Sequence, residues 1–211
     1  MLRHARAVVV LGFEVHRATL GPRRAEGQNG DMRIYLAGPE VFLPDATAIG
    51  AAKKAICARL GCVGVFPLDP PAPMPSGAHE WRRIHAANEL HIRGCDALVA
   101  NLTPFRGVGA DPGTVFELGF MRGLGRPVHG YTHEPRAHRD RVAPRAHDGR
   151  VWRDAQGLEV EDFGLAENLM LEGAIAAGGG VMLRAAAPLA WTDLALFERC
   201  LAAIRAIQGA Q

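Results

Sequence analysis

From Met32 onward, short apolar runs take turns with helix-length stretches, and this alternation constrains the fold more than any other feature of the chain. Residues 33–37 (RIYLA) read as a strand ended by Gly38-Pro39. Residues 45–60 carry apolar side chains at helical spacing and stop at Gly61, a residue suited to a helix C-terminus. A second strand over 63–68 (VGVFPL) runs into a proline-rich loop at 69–77. A helix is then expected over 79–94, and residues 97–102 (ALVANL) form the nearly continuous apolar strand seen when both sheet faces are covered. A helix over 113–125 and a strand over 127–131 complete the regular part. Strand–helix repetition of this kind implies parallel strands joined by right-handed crossovers. The expected fold class is therefore α/β: a single doubly wound, Rossmann- or flavodoxin-like domain with a parallel sheet of about five strands flanked by helices.

Three segments depart from the rhythm. Residues 1–31 mix charge, glycine and proline without a sustained period, and are expected to be a disordered extension or to follow from a mis-assigned start. The domain itself is placed at 32–211. Residues 132–162 hold six arginines (136, 139, 141, 145, 150 and 153), two prolines and few aliphatics. They are expected to form a long loop or insertion, either a solvated surface loop or a lid whose arginines recruit a 5′-phosphate. Closing helices are expected over 163–177 and 191–207, with a strand at 181–183.

Composition narrows the partners. Lys plus Arg number 24 against 22 Asp plus Glu, so the chain lacks the basic field of a nucleic-acid or membrane-surface protein. No apolar run approaches the ~18 residues of a membrane span. The four cysteines, at 57, 62, 95 and 200, have no metal-binding spacing and sit largely in apolar stretches, which suits a reduced, cytoplasmic setting. The nine histidines form no HExxH or tight cluster. Neither a metal nor a cofactor is expected.

In a doubly wound sheet, ligands bind outside the carboxyl ends of the strands. The informative residues should therefore lie at 35–39, 69–77 and 103–117. The last segment is the richest. A loop with Gly107, Gly109 and Gly113 opens a helix at Asp111-Pro112-Gly113-Thr114, where Asp111 suits the N-cap and Pro112 the first turn. Glu117 is the only charged residue from Thr114 to Met121. A carboxylate in such surroundings is expected to be half-buried and, with the helix dipole favouring its charge, to be an ionised candidate nucleophile; the alternative is a structural partner for an arginine. A dinucleotide fingerprint fails here, because the glycine spacing is one residue too long and no acid ends the next strand. The GK[ST] of a phosphate loop is missing as well.

Four segments, in order, resemble the nucleoside 2-deoxyribosyltransferase family: Ile34-Tyr35-Leu36-Ala37-Gly38-Pro39, Asp96-Ala97-Leu98-Val99-Ala100-Asn101, Asp111-Pro112-Gly113-Thr114-Val115-Phe116-Glu117-Leu118-Gly119, and Val160-Glu161-Asp162-Phe163-Gly164-Leu165 with Asn168-Leu169-Met170-Leu171. Thr103-Pro104-Phe105-Arg106-Gly107 is closest to the purine-handling branch known from trypanosomatids and bacteria. The resemblance covers roughly residues 32–176. It implies a retaining double displacement in which Glu117 attacks C1′ of a 2′-deoxynucleoside and a second base attacks the resulting ester. It assigns Tyr35 to orienting the nucleophile and Asp111 to holding the sugar hydroxyls. Gly38, Pro39, Gly113 and Asp69 fall in the segments that line the substrate site. Asn168, with Met170 beside it, matches an amide donated to a neighbouring subunit's site, which implies a homo-oligomer. The expected partners are thus a 2′-deoxynucleoside, a free purine base and further copies of the chain.

One position departs from many relatives. Where they carry an aspartate that handles the proton on the leaving base, this chain has Asn88. An amide hydrogen-bonds a purine edge but does not deliver a proton. Water, Asp69 or no general acid at all remain as alternatives. Hydrolysis of a nucleoside or its 5′-monophosphate through the same intermediate is the nearest rival activity, and a non-catalytic nucleotide-binding module is the rival from another class. Asp96 opens its strand at the end of the sheet away from the ligand crevice and reads as structural.

Overall fold

A computed structural model describes residues 31–70 and 79–209. All but Asp31 of the expected N-terminal extension, and most of the proline-rich loop, lie outside the described residues. The main sheet holds β1 (Met32–Ala37), β2 (Cys62–Val65), β3 (Ala97–Asn101), β4 (Val128–Thr132) and β8 (Met182–Arg184). Every pairing in it is parallel, in the order β2-β1-β3-β4-β8. This is the flavodoxin-like order, and it places the topological switch between β1 and β3. Single-residue alternation divides the core in two. Ile34, Leu36, Val99 and Tyr131 face α1 (Ala46–Arg59) and α6 (Ala195–Gly209). Tyr35, Ala37, Leu98 and Ala100 face the other way, toward α2 (Glu80–Arg93), α3 (Pro112–Gly123) and α5 (Leu169–Ala177). A parallel sheet covered on both faces is what the unbroken apolar strands require. Asp96 accepts a hydrogen bond from the Arg33 N–H at 2.8 Å, tying the starts of β1 and β3 together.

The ends of several elements differ from expectation for identifiable reasons. The second strand stops at Val65, because Asp69 folds residues 66–69 into a turn: its N–H donates to the Phe66 carbonyl and its side chain accepts from the Phe66 N–H. The expected helix over 163–177 begins only at Leu169, after Gly164 at φ 70° and the N-cap residue Asn168. The expected loop over 132–162 has structure of its own. It contains a short helix, α4 (His138–Arg141), and a three-stranded antiparallel sheet of β5 (Arg145–His147), β6 (Trp152–Asp154) and β7 (Glu159–Val160). The four cysteines are buried and unpaired. Among the described residues, no helix is long and apolar enough to cross a membrane.

Candidate active site

Because β1 alternates, Tyr35 points to the face covered by α3, and its phenol donates to Glu117 Oε1 at 2.7 Å. Glu117 lies on α3 among the buried residues Thr114, Leu118 and Met121, which turn the same helix toward the sheet. Asp111 caps α3, its Oδ2 accepting from the Thr114 N–H at 2.9 Å and the Thr114 hydroxyl at 3.0 Å. The cap fixes the first turn of α3 and so the height of Glu117 one turn later.

These residues open onto a cavity of about 270 Å³ lined by Gly38, Val41, Phe42, Pro67, Leu68, Ile84, Asn88, Asp111, Gly113, Thr114 and Glu117. It sits over the switch between β1 and β3. Tyr35 lies beneath it, fully buried. Asn88 reaches in from α2, its amide nitrogen 3.5 Å from Glu117 Oε1, and its Oδ1 is buried without a partner among the described residues. The lining is thus polar at Asp111, Thr114, Glu117 and Asn88 and forms an apolar wall at Val41, Phe42, Pro67, Leu68 and Ile84, with Ile84 and Asn88 side by side on one helix. Sequence reasoning missed the apolar wall. Ile84 stands one helical turn before Asn88, and that spacing was the available signal.

Burial pushes the Glu117 carboxyl up to about 7; the Tyr35 hydrogen bond opposes this and the nearby Asp111 charge adds to it. This corrects the expectation of a nucleophile kept ionised by the helix dipole. Glu117 is the sixth residue of α3, beyond the first turn in which the dipole is felt. Burial also drives the Tyr35 phenol far above its ordinary value, so it remains a donor.

A second buried polar group lies on the opposite face of the sheet. Glu40, in the 3-10 turn Pro39–Phe42, is fully buried. Its Oε1 accepts from Lys53 of α1, from Asn101 at 2.9 Å and from the Tyr131 hydroxyl at 3.1 Å. Burial would raise its carboxyl, but Lys53 and Asn101 outweigh burial and hold it below the ordinary carboxylate range. Asn101 in turn accepts from the backbone N–H and hydroxyl of Thr103, where the glycine-rich loop departs. This strut joins the ends of β1, β3 and β4 under the cavity floor. The position of a Cβ on Gly38 would fall 2.0 Å from Glu40 Oε2, so the floor admits no side chain there.

The structure brings Glu117, Tyr35, Asp111, Asn88, Gly38 and Gly113 together and leaves four other expected residues apart. Pro39 lines a neighbouring groove with Phe42, Phe105 and Trp191. Asp69 does not line the cavity: its carboxylate pairs with Lys54 at 2.5 Å and holds the turn after β2. Asn168 caps α5, accepting from the Met170 N–H and donating to Glu161, both at 2.9 Å. Met170 is 71% exposed. The arginines expected in a phosphate-recruiting lid are mostly paired: Arg136 with Glu134, Arg139 with Asp140 and Asp162, Arg141 with Glu167, Arg145 with Asp140, and Arg153 with Asp148. No arginine or lysine lines the cavity among the described residues.

Fold and site together define a flavodoxin-like α/β domain with a phenol-bonded carboxylate over its switch point. The sequence model of the nucleoside 2-deoxyribosyltransferase family matches residues 34–170. A 2-deoxyribosyltransferase from Leishmania mexicana is 34% identical, with a TM-score of 0.53 over 69% of this chain and 95% of that one. The protein C191.05c of Schizosaccharomyces pombe is 33% identical over 70% of this chain and 78% of its own length. A conserved protein from Enterococcus faecalis, at 17% identity and a TM-score of 0.50 over 83% of this chain and 99% of that one, shares the fold. The chain belongs to the nucleoside 2-deoxyribosyltransferase family, and with it to the enzymes of glycosyl transfer.

Proposed function

We propose that the protein moves 2-deoxyribose between purine bases through a covalent ester on Glu117. The observation that carries this reading is the 2.7 Å hydrogen bond from the Tyr35 phenol to Glu117 Oε1 at the wall of a cavity. The phenol donates to one carboxylate oxygen and orients the group toward C1′. In the first half-reaction a Glu117 oxygen bonds to C1′ while the bond from C1′ to the base nitrogen breaks, its electron pair leaving with the base. In the second, a nitrogen of the incoming base bonds to C1′, the ester bond breaks, the electron pair returns to the carboxylate, and the proton of that nitrogen is released to solvent. Two inversions give retention. Asp111 holds the sugar hydroxyls, and the apolar wall with the Asn88 amide receives the base. Asn88 supplies no proton, and Asp111 and Glu117 are the only acids lining the cavity among the described residues. The proton acquired by the departing base therefore comes from solvent.

The described lining presents carboxylates and no cation to the sugar, and the substrate in this reading is a nucleoside rather than its 5′-phosphate. Asn168 does not line its own cavity, and Met170, whose N–H it caps, is 71% exposed, an arrangement suited to placing the Asn168 amide on the sugar 5′-hydroxyl in the site of a second copy. The deciding experiment incubates the protein with deoxyinosine and adenine. Deoxyadenosine is the expected product, whereas free hypoxanthine without deoxyadenosine replaces the transferase reading with a hydrolase. Trapping with a 2-fluorinated sugar should label the peptide containing Glu117, and a label elsewhere removes its role as nucleophile.

A further inference from the structure

Arg141 is the one arginine counted as buried among the described residues, at 7% exposure. All three of its guanidinium nitrogens are engaged. Nε donates to the Val108 carbonyl at 2.7 Å. Nη1 donates to the carbonyls of Ala166 at 2.6 Å and Arg136 at 3.2 Å. Nη2 donates to Glu167 Oε2 at 3.0 Å and lies 3.1 Å from His138 Nδ1. Glu167, 2% exposed, uses its other oxygen to accept from the Asn168 N–H at 3.0 Å.

The two segments joined by this side chain are those that deliver the sugar-binding residues. Val108 stands in the glycine-rich loop, whose Phe105 N–H closes onto the Gly109 carbonyl at 2.9 Å, and two residues beyond Gly109 is Asp111. A Cβ on Gly109 would stand 3.5 Å from Glu167 Oε1, so the loop rests directly on the same carboxylate. Ala166 and Glu167 lead into Asn168 at the N-cap of α5. We propose that Arg141 is a positioning residue for the sugar side of the reaction, locking the loop that presents Asp111 to the segment that presents Asn168. This inference rests on the roles given to Asp111 and Asn168 under the proposed function. Its chemistry requires arginine: a planar fork with five donors spans two backbone segments and a carboxylate at once, and a lysine ammonium with three donors on one nitrogen does not.

The test compares Arg141→Lys with Arg139→Lys, the latter an equal change at a half-exposed arginine of the same short helix. Michaelis constants are measured separately for the deoxynucleoside donor and the acceptor base on folded, oligomer-sized protein. Arg141→Lys should raise the donor KM about 10-fold and lower kcat/KM for the donor about 10- to 100-fold, the scale of a small misplacement of a bound reactant. The acceptor KM should stay within about twofold of wild type, because no contact of Arg141 reaches the apolar wall or Asn88, and Arg139→Lys should change neither constant. Donor kinetics unchanged in Arg141→Lys, or donor and acceptor constants rising together, would overturn the inference. If Arg141→Lys does not fold, Glu167→Gln, which keeps the shape of the cluster, is read by the same two constants and the same criteria. A wild-type protein with no turnover of any deoxynucleoside is a separate result that removes the proposed function itself.

Discussion

The chain has two tyrosines, and each donates its phenol to a glutamate, one half-buried and one fully buried, on opposite faces of the same sheet. Tyr35 bonds Glu117 on the α3 side, and Tyr131 bonds Glu40 on the α1 side. Their surroundings send the two carboxyls in opposite directions. Glu40 has Lys53 beside it and is held ionised, its charge neutralised and its Oε1 bonded three times. Among the described residues Glu117 has no cation as a partner, only a phenol, a distant amide and the unfavourable charge of Asp111, and its carboxyl rises to about 7. Under the proposed function, the difference separates a carboxylate that holds the fold from one kept in reserve for a reaction. A carboxylate paired with a buried cation is held inert, and one without such a pair favours gaining a partner such as an electrophilic carbon.

The largest effect should come from removing the reactive member of this comparison. Glu117→Ala should lower turnover at least about 10³-fold while leaving deoxynucleoside binding measurable by calorimetry. Activity retained within a few fold would assign the nucleophile elsewhere. Glu40→Gln attacks the other member and should act on stability, leaving Lys53 buried without its counter-charge at a cost of about 3–5 kcal/mol in chemical denaturation. The double change Glu40→Gln with Lys53→Met should recover most of that loss, and failure to recover would show that the strut is more than a matched pair.

Opposite stability behaviour is expected at residue 117. A carboxyl raised in the folded state is neutral in both states at low pH, and stability is lost as pH rises from the unfolded value toward about 7. Glu117→Gln should therefore stabilise the protein at pH 8 by roughly 1–3 kcal/mol and have little effect at pH 4. Equal effects at both values would contradict the raised carboxyl. The smallest effect is a displacement of the activity profile. The acid limb of kcat/KM should have its midpoint near 7, since the nucleophile must lose its proton. Tyr35→Phe removes a bond that favours ionisation and should move the limb upward. Asp111→Asn removes an opposing charge while remaining a good cap, and should move it downward.

Much of this arrangement was legible in the sequence because it is local. The strand 33–37, the loop and helix from Asp111 to Glu117, and the tyrosine two residues before Ala37 follow from period, capping and resemblance. The Glu40 strut was not legible, because it joins residues 13, 61 and 91 positions apart and nothing in a one-dimensional pattern marks Lys53 as buried. Asp69 was misplaced for a related reason. It follows a strand at the ligand end of the sheet, but its side chain satisfies the backbone of its own turn. The insertion at 132–162 concealed its small sheet because strands of only two or three residues show no usable alternation. Its arginines look free in sequence, and their carboxylate partners become visible only in three dimensions.

The floor at Gly38 bears on any attempt to redesign this protein for new substrates. With Glu40 Oε2 standing where a Cβ on residue 38 would go, and its Oε1 tied to three neighbours, residue 38 is closed to enlargement, and bulk added there must displace a buried carboxylate. Ile84 and Leu68, 54% and 53% exposed, border the same space without such ties. Changes of specificity are therefore far more accessible from the helix-and-turn side than from the end of the first strand.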